Sequence, residues 1–281
     1  MAEKYFVERD PYSPIRYSYE IDQILCEGRS EFQEYMVFTN PFFGRVLVLD
    51  GVVQLTERDE FFYHEMLAHV PLQSISEPGE VIIIGGGDGG VAREVIKHPW
   101  VTAVTVVDID PMVARLSKEY FPCVSSALSD RRVTQIAMDG AQFLREYRGQ
   151  ARAILVDSTD IAGNAETLFS ESFFRDARGA LHPDGVFVTL SESLHFHFSM
   201  VRMLQERLAR VFGNSDIYTA PIATYAGNWW CFAVGFGARS CREPVGQIAA
   251  PTRYYDADVH RASFLAPRLF QRLMESERQG Y

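Results

Sequence analysis

The sequence predicts an α/β protein in which a small N-terminal β domain precedes a seven-stranded sheet of parallel type flanked by helices. Three observations lead there. Short apolar runs alternate with amphipathic stretches after Gly79, a glycine-rich turn follows the first of those runs, and the chain before Thr56 has hairpin texture. The 281 residues, 47% of them hydrophobic, suffice to bury about three quarters of the unfolded surface. Collagen-like, disordered and disulfide-framework classes are excluded.

Between Phe32 and Thr56 the chain carries EYMVFTNPFFGRVLVLDGVVQLT, where β-branched and aromatic runs are broken by Asn40-Pro41, Gly44 and Asp50-Gly51. These are strand and hairpin signals. From Asp59 to Val70 the residues Phe62, Met66, Leu67 and Val70 fall near helical spacing, and Pro71 is expected to stop the helix. The expected division is therefore residues 1–70, a β domain with its linking helix, and residues 71–281, a Rossmann-like α/β domain. In the second unit the expected strands are Val81 to Ile84, Val101 to Asp108, Arg132 to Met138, Ala153 to Asp157, Gly185 to Leu190, Asp216 to Ala220 and Trp230 to Phe236. Helices are expected over Val91 to Lys97, Met112 to Tyr120 and Met200 to Val211.

The first of these strands runs into Gly85-Gly86-Gly87-Asp88-Gly89-Gly90, so Gly85, Gly87 and Gly90 satisfy GxGxxG. Bare backbone there lets a nucleotide approach a helix N-terminus. Asp88, however, puts a negative charge where a pyrophosphate wants a positive dipole, which argues against a nicotinamide dinucleotide. Asp108 ends the second strand, 18 residues past Gly90, where an acid can hydrogen-bond ribose hydroxyls. Asp139-Gly140 ends the third, placed for the edge of a base. A nucleoside with a cationic extension fits this set, as in a sulfonium of the S-adenosylmethionine kind. The fourth strand then delivers Asp157-Ser158-Thr159-Asp160 to the same crevice. Asp88, Asp157 and Asp160 together repel one another unless a polycationic ligand compensates, and a diamine beside a sulfonium does so. For Asp108, Asp139 and the 157–160 turn, plain strand-end capping is the competing explanation.

The formal charge of −10 disfavours nucleic acid. Cys26, Cys123, Cys231 and Cys241 form no CxxC pair, so reduced thiols are expected. The charged start MAEKYFVERDPY is unlike a signal peptide, and no run reaches the ~18 apolar residues of a membrane span, so a cytoplasmic protein with no membrane partner is expected. No metal is expected either. His64 to His69 has one residue too many for HExxH, which leaves His69 as a packed helix residue, and His195 and His197 have only Glu192 nearby.

At these residues the chain resembles the spermidine synthase family of polyamine aminopropyltransferases. The likeness covers FGRVLVLDGVVQLTERDEFFYHEMLAHVP at 43–71, IIGGGDGGVAREVIKHP at 83–99, VDSTD at 156–160, LFS at 168–170, APIATY at 220–225 and TRYYDADVHRASFLAP at 252–267. It implies a Rossmann-like, methyltransferase-type seven-stranded sheet with a small N-terminal β domain, and a homodimer or homotetramer. It also implies no prosthetic group, decarboxylated S-adenosylmethionine as co-substrate, and a small polyamine acceptor, putrescine first. Gln33, Gly85, Gly87, Asp108, Asp139, Gly140 and Asn164 would hold the nucleoside part of the donor, and Asp88 its aminopropyl ammonium. Tyr63, His64, Asp160 and Tyr225 would line the amine site, with Asp157 the catalytic base.

Departures from the family pattern are local. Asp160-Ile161-Ala162-Gly163-Asn164 lacks both prolines of the usual Asp-Pro-x-Gly-Pro, which should loosen the loop and could admit a longer or bulkier acceptor. The ribose acid is Asp108 where Glu is common, and His195 and His197 stand where none is expected. Cadaverine, diaminopropane, agmatine and spermidine therefore remain alternative acceptors. A methyl or aminocarboxypropyl transferase using intact S-adenosylmethionine is the enzymatic rival, and a polyamine-binding protein without turnover the non-enzymatic one.

Overall fold

A computed structural model describes residues 4–75, 77–159, 163–246 and 248–278. The chain opens with a hairpin, β1 (Lys4–Arg9) and β2 (Arg16–Ile21), followed by an antiparallel meander of β3 (Gln23–Arg29), β4 (Glu34–Asn40), β5 (Gly44–Leu49) and β6 (Val52–Thr56). Asp50-Gly51 makes the β5–β6 turn with both residues at positive φ, 46° and 79°, and Asp50 Oδ1 accepts the Glu34 N–H at 2.8 Å. That is the left-handed pair a tight hairpin needs.

Helix α1 (Glu60–Leu72) is buried along almost its whole circumference. Tyr63, Met66, Leu67, Ala68 and Val70 enter the same apolar core as the large sheet. The helix passes the expected stop at Pro71 by one residue. Proline forfeits only its own N–H bond there, and the Gln73 N–H still reaches the His69 carbonyl at 2.9 Å, so the last turn closes. Buried Glu65 on α1 accepts three backbone N–H groups, from Arg253, Tyr254 and Tyr255 at 2.7, 2.8 and 2.7 Å, and so anchors the C-terminal segment. Glu65→Ala should cost about 3 kcal/mol, because three backbone donors, one of them fully buried, lose their carboxylate acceptor at once. Urea unfolding at fixed protein concentration measures it; an unchanged midpoint would show the segment to be held elsewhere.

The remaining elements, in chain order, are β7 (Gly79–Gly85), α2 (Gly90–Val95), β8 (Val101–Asp108), α3 (Pro111–Tyr120), β9 (Val133–Ala137), α4 (Gly140–Glu146), β10 (Ala151–Asp157), α5 (Glu171–Ala180), β11 (Leu181–Ser193), α6 (Phe198–Phe212), β12 (Asn214–Pro221), β13 (Trp229–Phe236), α7 (Ala257–Ser263) and α8 (Pro267–Arg278). The seven strands order as β12-β13-β11-β10-β7-β8-β9. All seven expected strands are present; β13 pairs antiparallel with both β11 and β12, and the other neighbouring pairs are parallel. The strand order reverses between the parallel neighbours β7 and β10, whose ends pair Gly85 with Asp157. A crevice outside the carboxyl ends of two such strands is where open α/β sheets bind ligands. Among the described residues no helix is long and apolar enough to cross a membrane.

Candidate active site

A cavity of about 610 Å³ opens at that crevice and is shared by the glycine turn, the ends of β8 and β10, the start of α1 and the N-terminal hairpin. Its walls carry every site residue expected from the sequence that the structure describes: Gln33, Tyr63, His64, Gly85, Gly87, Asp88, Asp108, Asp139, Gly140, Asp157 and Tyr225. Asp160 and Ile161 lie outside the described residues, as does the side chain of Asn164.

The donor side is built from backbone. A Cβ on Gly85, whose φ is +81°, would sit 2.0 Å from the Asp157 carbonyl oxygen, and the Gly86 N–H donates to that oxygen at 2.8 Å. The glycine turn is thus pressed against the strand that carries Asp157. Asp108 is filled from the protein side, accepting the Gly87 N–H at 2.9 Å and the Asp110 N–H at 2.8 Å. Burial, partly offset by those two N–H groups, pushes its carboxyl up to about 6. Asp139 caps α4, accepting the Gln142 N–H at 2.7 Å, so the capping role weighed from the sequence is real and coexists with a place on the cavity wall. Gln33 Nε2 donates to Asp110 Oδ2 at 2.8 Å, as does Ser30 Oγ at 2.7 Å.

Asp88, His64 and Asp157 form the centre. Asp88 Oδ1 accepts the Gly90 N–H at 2.6 Å, and its Oδ2 lies 3.5 Å from His64 Nε2. On the other side of the ring, His64 Nδ1 lies 2.6 Å from Glu60 Oε2. The imidazole packs directly on the glycine turn, since a Cβ on Gly90 would fall 2.2 Å from its Cε1. Burial pulls His64 down, but Asp88 and Glu60 outweigh it and push the ring up to about 10. The same pairing overcomes burial at Asp88 and holds that carboxyl below its ordinary value. Asp157 goes the other way: burial first, then the Asp88 charge, push it up to about 7 against the pull of His64 and Tyr63. Asp157 Oδ2 is buried and accepts no hydrogen bond among the described residues. Tyr63 and Tyr225 meet edge to face at 5.6 Å beside it, and the Tyr225 hydroxyl donates to the Gln54 carbonyl at 2.7 Å.

The far end of the cavity is acidic as well. Glu8 accepts the Val53 N–H at 3.1 Å and is pushed up to about 7, chiefly by burial. His197 lies between Asp10 Oδ2 at 3.2 Å and Glu192 Oε2 at 3.5 Å, and these carboxylates raise it above its ordinary value despite burial. The sequence left the place of the two late histidines open; His197 lines the cavity and His195 does not. Glu8, Asp10 and Asp110 were not anticipated at the site. In sequence Glu8 and Asp10 look like ordinary surface charge, and only the return of the first hairpin brings them to the cavity.

Residues 60–243 match the family model described as spermine/spermidine synthase domain, and residues 4–57 the one described as spermidine synthase tetramerisation domain. The chain belongs to the spermine/spermidine synthase family. It is 45% identical over 277 residues to polyamine aminopropyltransferase 1 of Aquifex aeolicus, with 99% of each chain covered. Against spermidine synthase 1 of Hyoscyamus niger the identity is 38% over 288 residues, covering 97% of this chain and 91% of that one. A crystal structure of spermidine synthase in complex with the transition-state analogue AdoDATO superposes with a TM-score of 0.92 at 31% identity, over 97% of this chain and 95% of that one. The protein is accordingly a transferase of the polyamine aminopropyl class.

The ligand atoms of His64, Asp88 and Asp157 lie within 4.8 Å of one another, a spacing a metal ion could bridge. Both His64 nitrogens already face carboxylates, so the ring is better suited to act as a cation within the cluster than as a ligand. His69, by contrast, is packed away from the cavity against Glu94 and His98 at 3.0 and 2.9 Å, the structural role its sequence position suggested.

Proposed function

We propose that the protein moves the aminopropyl group of decarboxylated S-adenosylmethionine to a diamine, with putrescine as the preferred acceptor and spermidine and methylthioadenosine as products. The observation that carries the reading is the pairing at the switch point. A held carboxylate, Asp88, and a second carboxylate, Asp157, whose buried Oδ2 has no hydrogen-bond partner among the described residues, line one cavity at the ends of β7 and β10. The nucleoside lies along Gly85 to Gly87 with its ribose toward Asp108 and its base toward Asp139 and Gly140, while Gln33 braces that wall through Asp110. Asp88 takes the donor's terminal ammonium.

An alkylammonium of pKa near 10.4 must lose a proton before it can attack, which costs about 4 kcal/mol at pH 7. Asp157, poised near 7, accepts that proton. The freed lone pair then forms a bond to the methylene carbon next to the sulfonium, and the C–S bond breaks with its electron pair returning to sulfur. A neutral thioether leaves, so no developing oxyanion needs a hole or a Lewis acid. Tyr63 and Tyr225 hold the acceptor chain in line, and the family likeness makes Asp160, outside the described residues, a further carboxylate for the acceptor. Glu8, Asp10 and Glu192 give the acceptor's second charge an acidic destination. Intact S-adenosylmethionine is disfavoured, because its carboxylate would face Asp88 and Asp157.

A homodimer or homotetramer formed through the N-terminal strands fits the exposed Tyr5, Val7, Ile24 and Phe42 on that part of the chain. A cytoplasmic location fits its four unpaired cysteines. The deciding experiment is methylthioadenosine release from decarboxylated S-adenosylmethionine by purified protein against putrescine, cadaverine, diaminopropane, agmatine and spermidine. Turnover with putrescine best is expected. Turnover with another amine alone would reassign the acceptor, and none with any amine, or methyl transfer from intact S-adenosylmethionine, would sink the reading.

A further inference from the structure

Glu60 lies behind the site. Its side chain is 5% exposed and that of His64, on the next turn of α1, is 3% exposed, so the 2.6 Å contact between them is shielded from water. Glu60 is itself fixed from α2, where Arg93 donates through Nη2 to Oε2 at 2.8 Å and through Nη1 to Oε1 at 3.2 Å. Arg93 in turn is held by Glu94 at 2.7 Å, so the guanidinium bridges two buried carboxylates and is fixed from both sides. The groups that face His64 are Glu60 on its own helix, Asp88 in the glycine turn, the Tyr63 ring at 5.6 Å and Asp157 at the end of β10. Arg93 and, at 3.7 Å from Glu60 Oε1, Arg253 act on it through Glu60.

We propose that Glu60 is a positioning residue: clamped by Arg93, it keeps the His64 imidazole cationic beside Asp88, so that Asp88 stays an anion for the donor's ammonium and the proton-accepting role falls to Asp157. The inference rests on the aminopropyl reading for the roles of the two aspartates, and on geometry alone for the charge of the ring. Two adjacent carboxylates in one buried cleft cannot both ionise without help. A fixed cation on the Asp88 side breaks the symmetry, leaving Asp88 committed and Asp157 able to titrate near neutrality. Glu60 supplies that cation by hydrogen-bonding the ring nitrogen that faces away from the cavity.

The test is Glu60→Gln, with Glu60→Asp as the conservative variant. Selective carbon labelling of histidine, with His64→Gln to assign its resonance, follows the ring directly and needs no substrate. The wild-type His64 signal should remain that of an imidazolium beyond pH 8, and in Glu60→Gln it should titrate below pH 8. In turnover, the acid limb of kcat/KM should move upward by about one pH unit in Glu60→Gln, a ~5-fold loss at pH 7 that is recovered at pH 9. The sign follows from distance: the lost imidazolium is nearer Asp157 than the lost carboxylate. Glu60→Asp should shift the limb less. A merely structural Glu60 predicts a lower Tm with the limb unmoved. That outcome, a limb moved downward, or a wild-type His64 that titrates between pH 5 and 8 would each overturn the proposal. Absence of turnover with every amine would instead defeat the aminopropyl reading, while the histidine titration still decided the charge of the ring.

Discussion

Asp157→Asn should abolish turnover and at the same time make the protein more stable at pH 8. The rate effect follows from removing the base, typically 10²- to 10⁴-fold in such cases. The stability effect follows from its position. Burial and the Asp88 charge push Asp157 up to about 7 in the folded protein, against ~3.9 for a free carboxyl. A group with the higher pKa in the native state binds its proton more tightly there. Its contribution to stability is therefore fully present below pH ~4 and is withdrawn as pH rises through about 7. Asparagine carries no charge at any pH, so the variant escapes that withdrawal. Scanning calorimetry should find the two proteins alike at pH 4 and the variant higher by several degrees at pH 8, where methylthioadenosine release has vanished. A variant less stable at pH 8 would mean that the carboxylate is a structural anion and not a base kept at a cost to the fold. The wild-type kcat/KM should rise through a limb near pH 7 that the same carboxyl sets.

Gly85→Ala should be the most damaging single methyl in the chain. Gly85 and Gly51 have nearly the same φ, +81° and +79°, so the backbone penalty for a side chain is about 1 to 2 kcal/mol at each. They differ in surroundings. A Cβ on Gly51 meets nothing within 4 Å, whereas on Gly85 it falls 2.0 Å from the Asp157 carbonyl oxygen, a backbone atom within a paired strand that has no room to retreat. The expected loss at Gly85 is more than about 3 kcal/mol, and any protein that still folds must displace the end of β10 and the base with it. Soluble yield, Tm and turnover of the two alanine variants, measured side by side, separate the torsional cost from the collision. Equal losses would show that the strand ends are not in contact.

How much of this could be read beforehand depended on how each segment meets water. The strands of the large sheet were legible because β7, β10 and β11 are buried on both faces and so appear as unbroken apolar runs. The strands β1, β2 and β3, with KYFVER, RYSYEI and QILCEGR, are short, mix apolar with polar and charged residues and are largely exposed, so they carry no strong strand signal. The antiparallel sense of β13 had a signal that went unused. Only residues 222–228 join it to β12, too few for a parallel crossover. Asp88, Asp108, Asp139 and Asp157 were legible at the site because strand ends converge wherever the sheet is open. Glu60 and Arg93 were not, because their importance lies in a contact between two helices that no local spacing encodes.

The cavity has two kinds of wall. Its chemical end is made by β7, β8, β10 and α1, where strand register, glycine contacts and an internal ion pair fix every group against several others. Its opposite end is closed by buried Glu8 and Asp10 from a separate two-stranded hairpin, which is joined to the rest of the protein by side-chain contacts and not by a shared sheet ladder. Mutations in the first region are penalised by folding before they are judged by catalysis, while those in the second change mainly the length and charge of the ligand that fits. Changes at Glu8 and Asp10 should therefore alter which acceptor fits while the reaction itself is inherited intact.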